Sequence, residues 1–275
     1  MTISVCEIAD DERRAVGLEL ARLDAAARYP LGADFFHIDH GADYFAFFAR
    51  LAAHDAARPL RTWIARDDRG ELVGTITAVE RTLPSGRRAL YVGDLKVATT
   101  SAGRHVGLRL SHAFAAATIA HGAQAYAVSM DPADGENRVV SMLTREGVVA
   151  AVARLELFSL DAAGARPATD AMRAFDPCLA WYSLAGVKDI VLDSTRKPLA
   201  LLHAQFGPHG TIDGDSVVRE PRDGSTHMFC ALAHGDLARR ARASGLEPSA
   251  TATLLATPAI ADELRTTEFV LTSSI

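Results

Sequence analysis

The residues with most chemical promise fall in one decapeptide, SAGRHVGLRL (101–110), set between a strand-like and a helix-like run. Small residues there let backbone N–H groups approach an anion, and the start of the following helix adds partial positive charge. Gly103 and Gly107 permit a left-handed backbone or a close approach, and Arg104 can add a charge-assisted bond to a phosphate. No Gly-Lys-Ser/Thr follows, so the turn is not a Walker loop. Nor is it the dinucleotide GxGxxG with a ribose-binding acid. A glycine turn of purely structural use is the other reading.

A second cluster is HIDHGAD (37–43), with His37, Asp39, His40 and Asp43 within seven residues. Imidazole and carboxylate can ligate zinc, but the spacing matches no established site, and no metal is expected. HGTIDGDS (209–216) lacks the terminal Glu of a calcium loop and reads as a solvated loop. No G-x-S-x-G exists, which removes a nucleophile elbow. The three cysteines, Cys6, Cys178 and Cys230, are far apart and form no CxxC. They read as small buried hydrophobes in a reducing compartment.

These groups must be held by a folded body, and the composition supplies one. The chain has 275 residues, 49% hydrophobic and 23% charged, with net charge −5 and a pI near 6.1. That is an ordinary globular chain. The mild acidity speaks against nucleic acid, which needs clustered Lys and Arg. MTISVCEIADDERR has no basic n-region followed by an apolar run, so no signal peptide is expected. The Ala-rich run 110–127 is broken by Ser111, His112, His121 and Gln124, so no membrane span is expected there. A cytoplasmic setting follows.

Val16, Leu20, Leu23 and Ala27 recur at helical spacing and predict a helix over 11–28. Tyr44, Phe45, Phe47, Phe48 and Leu51 predict a second over 42–54. Strands follow at 61–66, 71–82 and 89–97, separated by the turns DDRG and LPSG. A long helix runs from the glycine turn through His121. Then come a strand at 125–130, a helix at 137–145 stopped by Gly147, and a strand at 153–160. The order implies an α/β fold with a mixed sheet flanked by helices.

The second half echoes the first. TREGVVAAVARLELFSL (144–160) matches the pattern of RASGLEPSATATLLATP (242–258), with Gly147 and Gly245 each ending a helix. AYAVSM (125–130) has its counterpart in MFCALA (228–233). KDIVLDSTRKPLALLH (188–203) has the strand–turn–strand form of RTWIARDDRGELVGTI (61–76). Chance similarity in an Ala-rich chain is the alternative to a duplication. Two parts are expected, 1–164 and a smaller 165–275, the latter without a phosphate turn of its own.

Over residues 1–160 the chain resembles the GNAT superfamily of acyl-CoA-dependent N-acyltransferases. Ala102-Gly103-Arg104-His105-Val106-Gly107-Leu108 fills the frame of that family's R-G-x-G-I/V-G pyrophosphate turn. Ala102 stands where Arg or Gln is usual, and His105 at the middle glycine. YVGDLKV (91–97) resembles the preceding strand, whose backbone pairs with the pantetheine arm. NRVVSMLTREG (137–147) resembles the Asn-initiated helix, with Thr144 near the usual place of an acidic Tyr. The resemblance implies a GNAT-like α/β fold with a smaller, degenerate GNAT-like second part.

It further implies acetyl-CoA or another acyl-CoA as cosubstrate, with no metal. Leu95, Lys96, Val97, Ala98, the turn Ala102–Leu108 and Asn137 would bind it. The reaction would be direct attack by an amine on the thioester carbonyl. That needs a proton acceptor, N–H donors for the oxyanion and an exit for the thiolate. Amides around Lys96–Ala98 are the candidate donors. Asp94 and Glu80 are the candidate bases, with a structural ion pair from Asp94 to a nearby Arg or Lys as the other reading. Strand alternation sets Val92, Asp94 and Lys96 on one face and Tyr91, Gly93, Leu95 and Val97 on the other. Tyr29, Phe36, His37 and Tyr44 would contact a small-molecule or peptide amine. A non-catalytic acyl-CoA or small-ligand binding protein on the same scaffold is the alternative function.

Overall fold

The computed structural model describes residues 2–31, 34–41, 43–52, 60–101, 105–205, 217–270 and 272–275. In chain order the elements are β1 Ser4–Glu7, α1 Arg13–Ala26, β2 Tyr29–Leu31, β3 Asp34–Asp39, α2 Ala46–Ala52, β4 Leu60–Arg66, β5 Leu72–Thr82, β6 Arg88–Val97 and α3 Val106–Ala117. There follow β7 Ala125–Met130, α4 Arg138–Arg145, β8 Ala150–Leu160, α5 Ala162–Phe175, β9 Ala180–Tyr182, β10 Asp189–Leu192, β11 Leu201–Gln205, β12 Val217–Val218, β13 Thr226–Leu232, α6 Asp236–Ala243, β14 Ala250–Ala256 and α7 Ala261–Thr266. The fold is mixed α/β, and the run β4-β5-β6-α3-β7-α4-β8 is the order that the GNAT resemblance implies.

The chain forms two compact units, neither continuous in sequence: 1–80 with 90–123 and 185–199, and 81–89 with 124–184 and 200–275. Position 164/165 lies inside α5, within the second unit.

In the first unit β1, β4, β5 and β6 are neighbours in that order. The meander of β4 to β6 follows from its alternation and turn residues. α3 lays Val106, Leu110 and Phe114 on this sheet, all buried and four residues apart, as helical periodicity requires. The Phe114 ring meets Trp63 edge-on at 5.3 Å. Gly74 on β5 is where the helix comes closest. A Cβ there would lie 2.9 Å from both Val106 Cγ1 and the Lys96 carbonyl oxygen.

Residues between the first two helices, to which the sequence pattern assigns no element, form β2 and β3. With β10 they make a separate sheet in the order β10-β3-β2, with Asp189 opposite Asp39 and Phe36 opposite Tyr29. The echo over 188–203 holds only in part. β10 closes a short hairpin through Val191 and Pro198, but β11 pairs with β9 and β13 rather than with β10.

In the second unit the strand order is β7-β14-β8-β13-β11-β9-β12. The echo between 125–160 and 228–258 becomes a strand exchange. β14 lies between β7 and β8, while β8 lies between β14 and β13. The register carries the symmetry. Tyr126 opposite Ala256 in one half corresponds to Phe229 opposite Phe158 in the other. At the centre, Arg154 opposite Thr253 maps onto Ala252 opposite Leu155. Gly147 and Gly245 both sit at positive φ, +68° and +79°. Each half thus donates its last strand to the other about a pseudo-two-fold axis between β8 and β14.

Phe158 and Phe229 stack at 4.5 Å in a core with Met172, Trp181, Leu202 and Leu237. Each such burial contributes about 1.5–3 kcal/mol. Of the cysteines only Cys230 is buried, whereas Cys6 and Cys178 are exposed. They are not core hydrophobes. No helix among the described residues is long and apolar enough to cross a membrane.

Candidate functional site

Strand β6 loses its regularity at Asp94, which takes a left-handed backbone with φ +58°. A non-glycine residue there costs of the order of 1–3 kcal/mol and persists only where surroundings impose it. The run Leu95–Val97 that follows is the stretch expected to face the acyl arm. Ala98 differs from expectation. Its N–H donates to the Val73 carbonyl at 2.9 Å, so that amide is committed within the sheet and is not an oxyanion donor.

The chain then enters α3. Ala102, Gly103 and Arg104 lie outside the described residues. His105 stands before the helix with φ +54°, the conformation a glycine takes without penalty. No side chain among the described residues caps the helix. The first N–H groups of an α-helix have no partner within it, and at the start of α3 they lie beside half-buried Gly107 and Leu108. Val106 is buried under the helix and anchors it.

Beside this strand the first unit encloses a charged network. The Lys96 ammonium bridges the carboxylates of Asp94 and Asp24. The other Asp24 oxygen lies 2.7 Å from His40 Nε2, with both side chains 1% exposed. Burial works against the Lys96 charge, but Asp94 and Asp24 outweigh it and hold the ammonium above its usual range. Burial likewise raises Asp24, yet the His40 hydrogen bond and the Lys96 charge keep it below the ordinary carboxylate value. The Tyr29 hydroxyl is pushed up to about 12, chiefly by burial.

Asp94 is therefore an ion-paired carboxylate, the second of the two sequence readings. Glu80 lies half-buried on β5. Asp24, His40 and Asp94 offer three ligand atoms within 4.8 Å of one another, but the Lys96 ammonium takes the place between the carboxylates where an ion would sit.

HIDHGAD does not converge. Asp39 accepts from Gly41 N–H at 2.8 Å and Asp43 from Phe45 N–H at 2.9 Å. His37 Nδ1 lies 3.5 Å from Asp193. Only His40 turns inward, between Tyr44 at 4.8 Å and Phe47 at 5.7 Å. Tyr44 is 2% exposed, a core residue rather than a wall of an acceptor site. Tyr29 and Phe36 stack at 5.2 Å and stay half-buried, as does His37.

Asn137, in the second unit, is the N-cap of α4. Its Oδ1 accepts from Val140 N–H at 3.2 Å, and its Nδ2 donates to the Met130 carbonyl and to Asp131 Oδ1, each at 3.1 Å. Thr144 donates back to the Val140 carbonyl at 2.9 Å. β11 and β13 pair directly as parallel strands, and no helix lies between them among the described residues. HGTIDGDS lies outside those residues.

Sequence reasoning missed Asp24 and Lys188 as site residues. Asp24 had a signal, since it continues the Val16–Leu20 stripe on the buried face of α1. Lys188 enters the first unit just before β10. Its ammonium lies 4.2 Å above the Phe47 ring.

No family model and no curated protein matches the chain. Among solved structures it is similar to a tandem GNAT protein from the clavulanic acid biosynthesis pathway, at 15% identity and TM-score 0.49, covering 93% of this chain and 98% of that one. It is also similar to an aminoglycoside acetyltransferase from an uncultured soil metagenomic sample, at 18% identity and TM-score 0.35, covering 54% and 92%. A third is the glucosamine-6-phosphate N-acetyltransferase of Arabidopsis thaliana, at 11% identity and TM-score 0.34, covering 54% and 91%. These are similarities, and at such values they decide nothing about chemistry.

Proposed function

We propose that the protein is an acyl-CoA-dependent N-acyltransferase, moving an acetyl or other acyl group to an amine of a small molecule or peptide. The observation that carries this is the conjunction, in one unit, of a strand interrupted at Asp94 and the uncapped start of α3. The helix start and Arg104 would hold the pyrophosphate, and the β6 backbone from Leu95 to Val97 the pantetheine arm. Bound there, acyl-CoA supplies an activated thioester carbonyl. The amide of Val97 is then the candidate oxyanion donor, since Ala98 is engaged with β5 and the Lys96 amide points to the same side of the strand as that of Ala98. Tyr29, Phe36 and His37 are the candidate acceptor contacts. Asp94 is a weak choice of base, because leaving Lys96 with one partner would be costly.

The alternative, a non-catalytic acyl-CoA binding protein, is favoured by Thr144. Its hydroxyl is tied to its own helix instead of being offered as an acid.

Calorimetric titration with acetyl-CoA and with CoA tests the site. Micromolar binding, about −8 kcal/mol, is expected, and Gly107→Arg should abolish it by filling the helix start while leaving the circular dichroism spectrum unchanged. Equal binding by the variant, or none by the wild type, overturns the reading. Release of CoA-SH with a panel of amines then separates transferase from binder.

A further inference from the structure

A left-handed residue in mid-strand persists only where something holds it, and at Asp94 the holder is visible. The Asp94 carboxylate meets the Lys96 ammonium, which also meets the carboxylate of Asp24 in the last turn of α1. Asp24 in turn lies 2.7 Å from His40 Nε2. None of the four side chains is more than 10% exposed, so solvent screens these pairs little. Helix and strand are thus tied through one ammonium.

Stability alone is a poor account of this tie. Burying an ion pair costs in desolvation about what its attraction returns, so such a pair is a weak source of folding energy. What it does fix is one arrangement of the groups around it. The rest of β6 shows which arrangement is at stake. Four residues on, the Ala98 N–H donates to the Val73 carbonyl at 2.9 Å and returns the strand to β5. The stretch Leu95–Val97 is therefore held at both ends, by β5 at Ala98 and by the ion pairs at Asp94.

We propose that Asp24 is a positioning residue for acyl-CoA. Through Lys96 it holds Asp94 left-handed, and so keeps the Leu95–Val97 backbone placed for the pantetheine arm and the thioester. This rests on the acyl-CoA reading above. A tie that only holds a backbone angle is dispensable where the angle costs nothing, and glycine takes a left-handed backbone without penalty. Asp94→Gly should therefore make Asp24 unnecessary for binding.

The test titrates acetyl-CoA calorimetrically into the full chain, into Asp24→Asn and into the double variant Asp24→Asn/Asp94→Gly. Each is measured well below its own thermal midpoint without ligand. Asp24→Asn keeps the size of the side chain and removes its charge. Its affinity should fall about tenfold, because only the fraction of molecules with the left-handed turn binds. The double variant should recover to within about threefold of wild type, although its thermal midpoint stays low. Should Asp24→Asn not fold, Asp94→Ala and Asp94→Gly carry the test. Both remove the carboxylate, and only Asp94→Ala should lose the affinity. Wild-type affinity in Asp24→Asn overturns this inference alone. A loss that Asp94→Gly fails to restore, or equal losses in Asp94→Ala and Asp94→Gly, overturns it as well. Absence of acetyl-CoA binding by the wild type overturns both it and the reading it rests on.

Discussion

Glu268 holds one carboxylate oxygen 2.9 Å from the Leu232 N–H in surroundings that disfavour charge. Burial lifts its pKa from 4.5 to about 7, with only that hydrogen bond opposing. The native carboxyl therefore binds its proton more tightly than the unfolded chain does. Its contribution to the second unit is fully present below about pH 4.5 and is lost as pH rises through about 7. Glu268→Gln keeps an acceptor for Leu232 and removes the charge. It should raise the thermal midpoint at about pH 8, by the equivalent of at most roughly 3 kcal/mol, and change little at about pH 4. Equal shifts at the two pH values would sink the account. Single residues of the candidate site were legible to unequal degrees. Asp94, Lys96 and His40 stood in segments whose pattern drew attention, and Asp24 broke an apolar stripe. Lys188 gave no local sign, because what gives it meaning is a partner strand some 150 residues earlier, reached only through tertiary pairing.

The elements of the first unit meet at glycines with opposite demands. Gly74 has backbone and helix atoms where a Cβ would go, at 2.9 Å. Gly74→Ala should push α3 off β5 and cost about 1–3 kcal/mol. Gly17, inside α1, has only ordinary contacts with Phe45 from 3.5 Å outward. There Ala should stabilise the unit by about 0.5–1 kcal/mol through helix propensity. Urea midpoints would check both, and a Gly74→Ala protein as stable as wild type would refute the close-approach argument. Elements that announce themselves by period, β4 to β8 and α3 and α4, could be read from the sequence within a few residues. β1, β2 and β3 could not. They are short and carry polar residues such as Asp34, His37 and Asp39, and what makes them strands is pairing with remote segments.

At the scale of the molecule, the strand exchange decides what can fold alone. Residues 1–164 contain β7 and β8 but not β14, which separates them and bonds to both. That fragment should lack the calorimetric transition of the second unit, and adding 165–275 should restore it. A fragment in which residues 124–160 melt cooperatively without β14 would refute this. The duplication was visible as a pattern in the sequence, but not that its halves trade strands, since composition and period say nothing of which copy pairs with which. Synthesis runs in one direction, and this sets a schedule. Residues 250–256, which satisfy the edges of two earlier strands, are made some 90 residues after the second of them. Until then every nascent chain carries unpaired edges that invite other chains. A ribosome that stalls between residues 160 and 250 would leave a product exposed along two strands, suited to aggregation or capture by chaperones rather than to partial work.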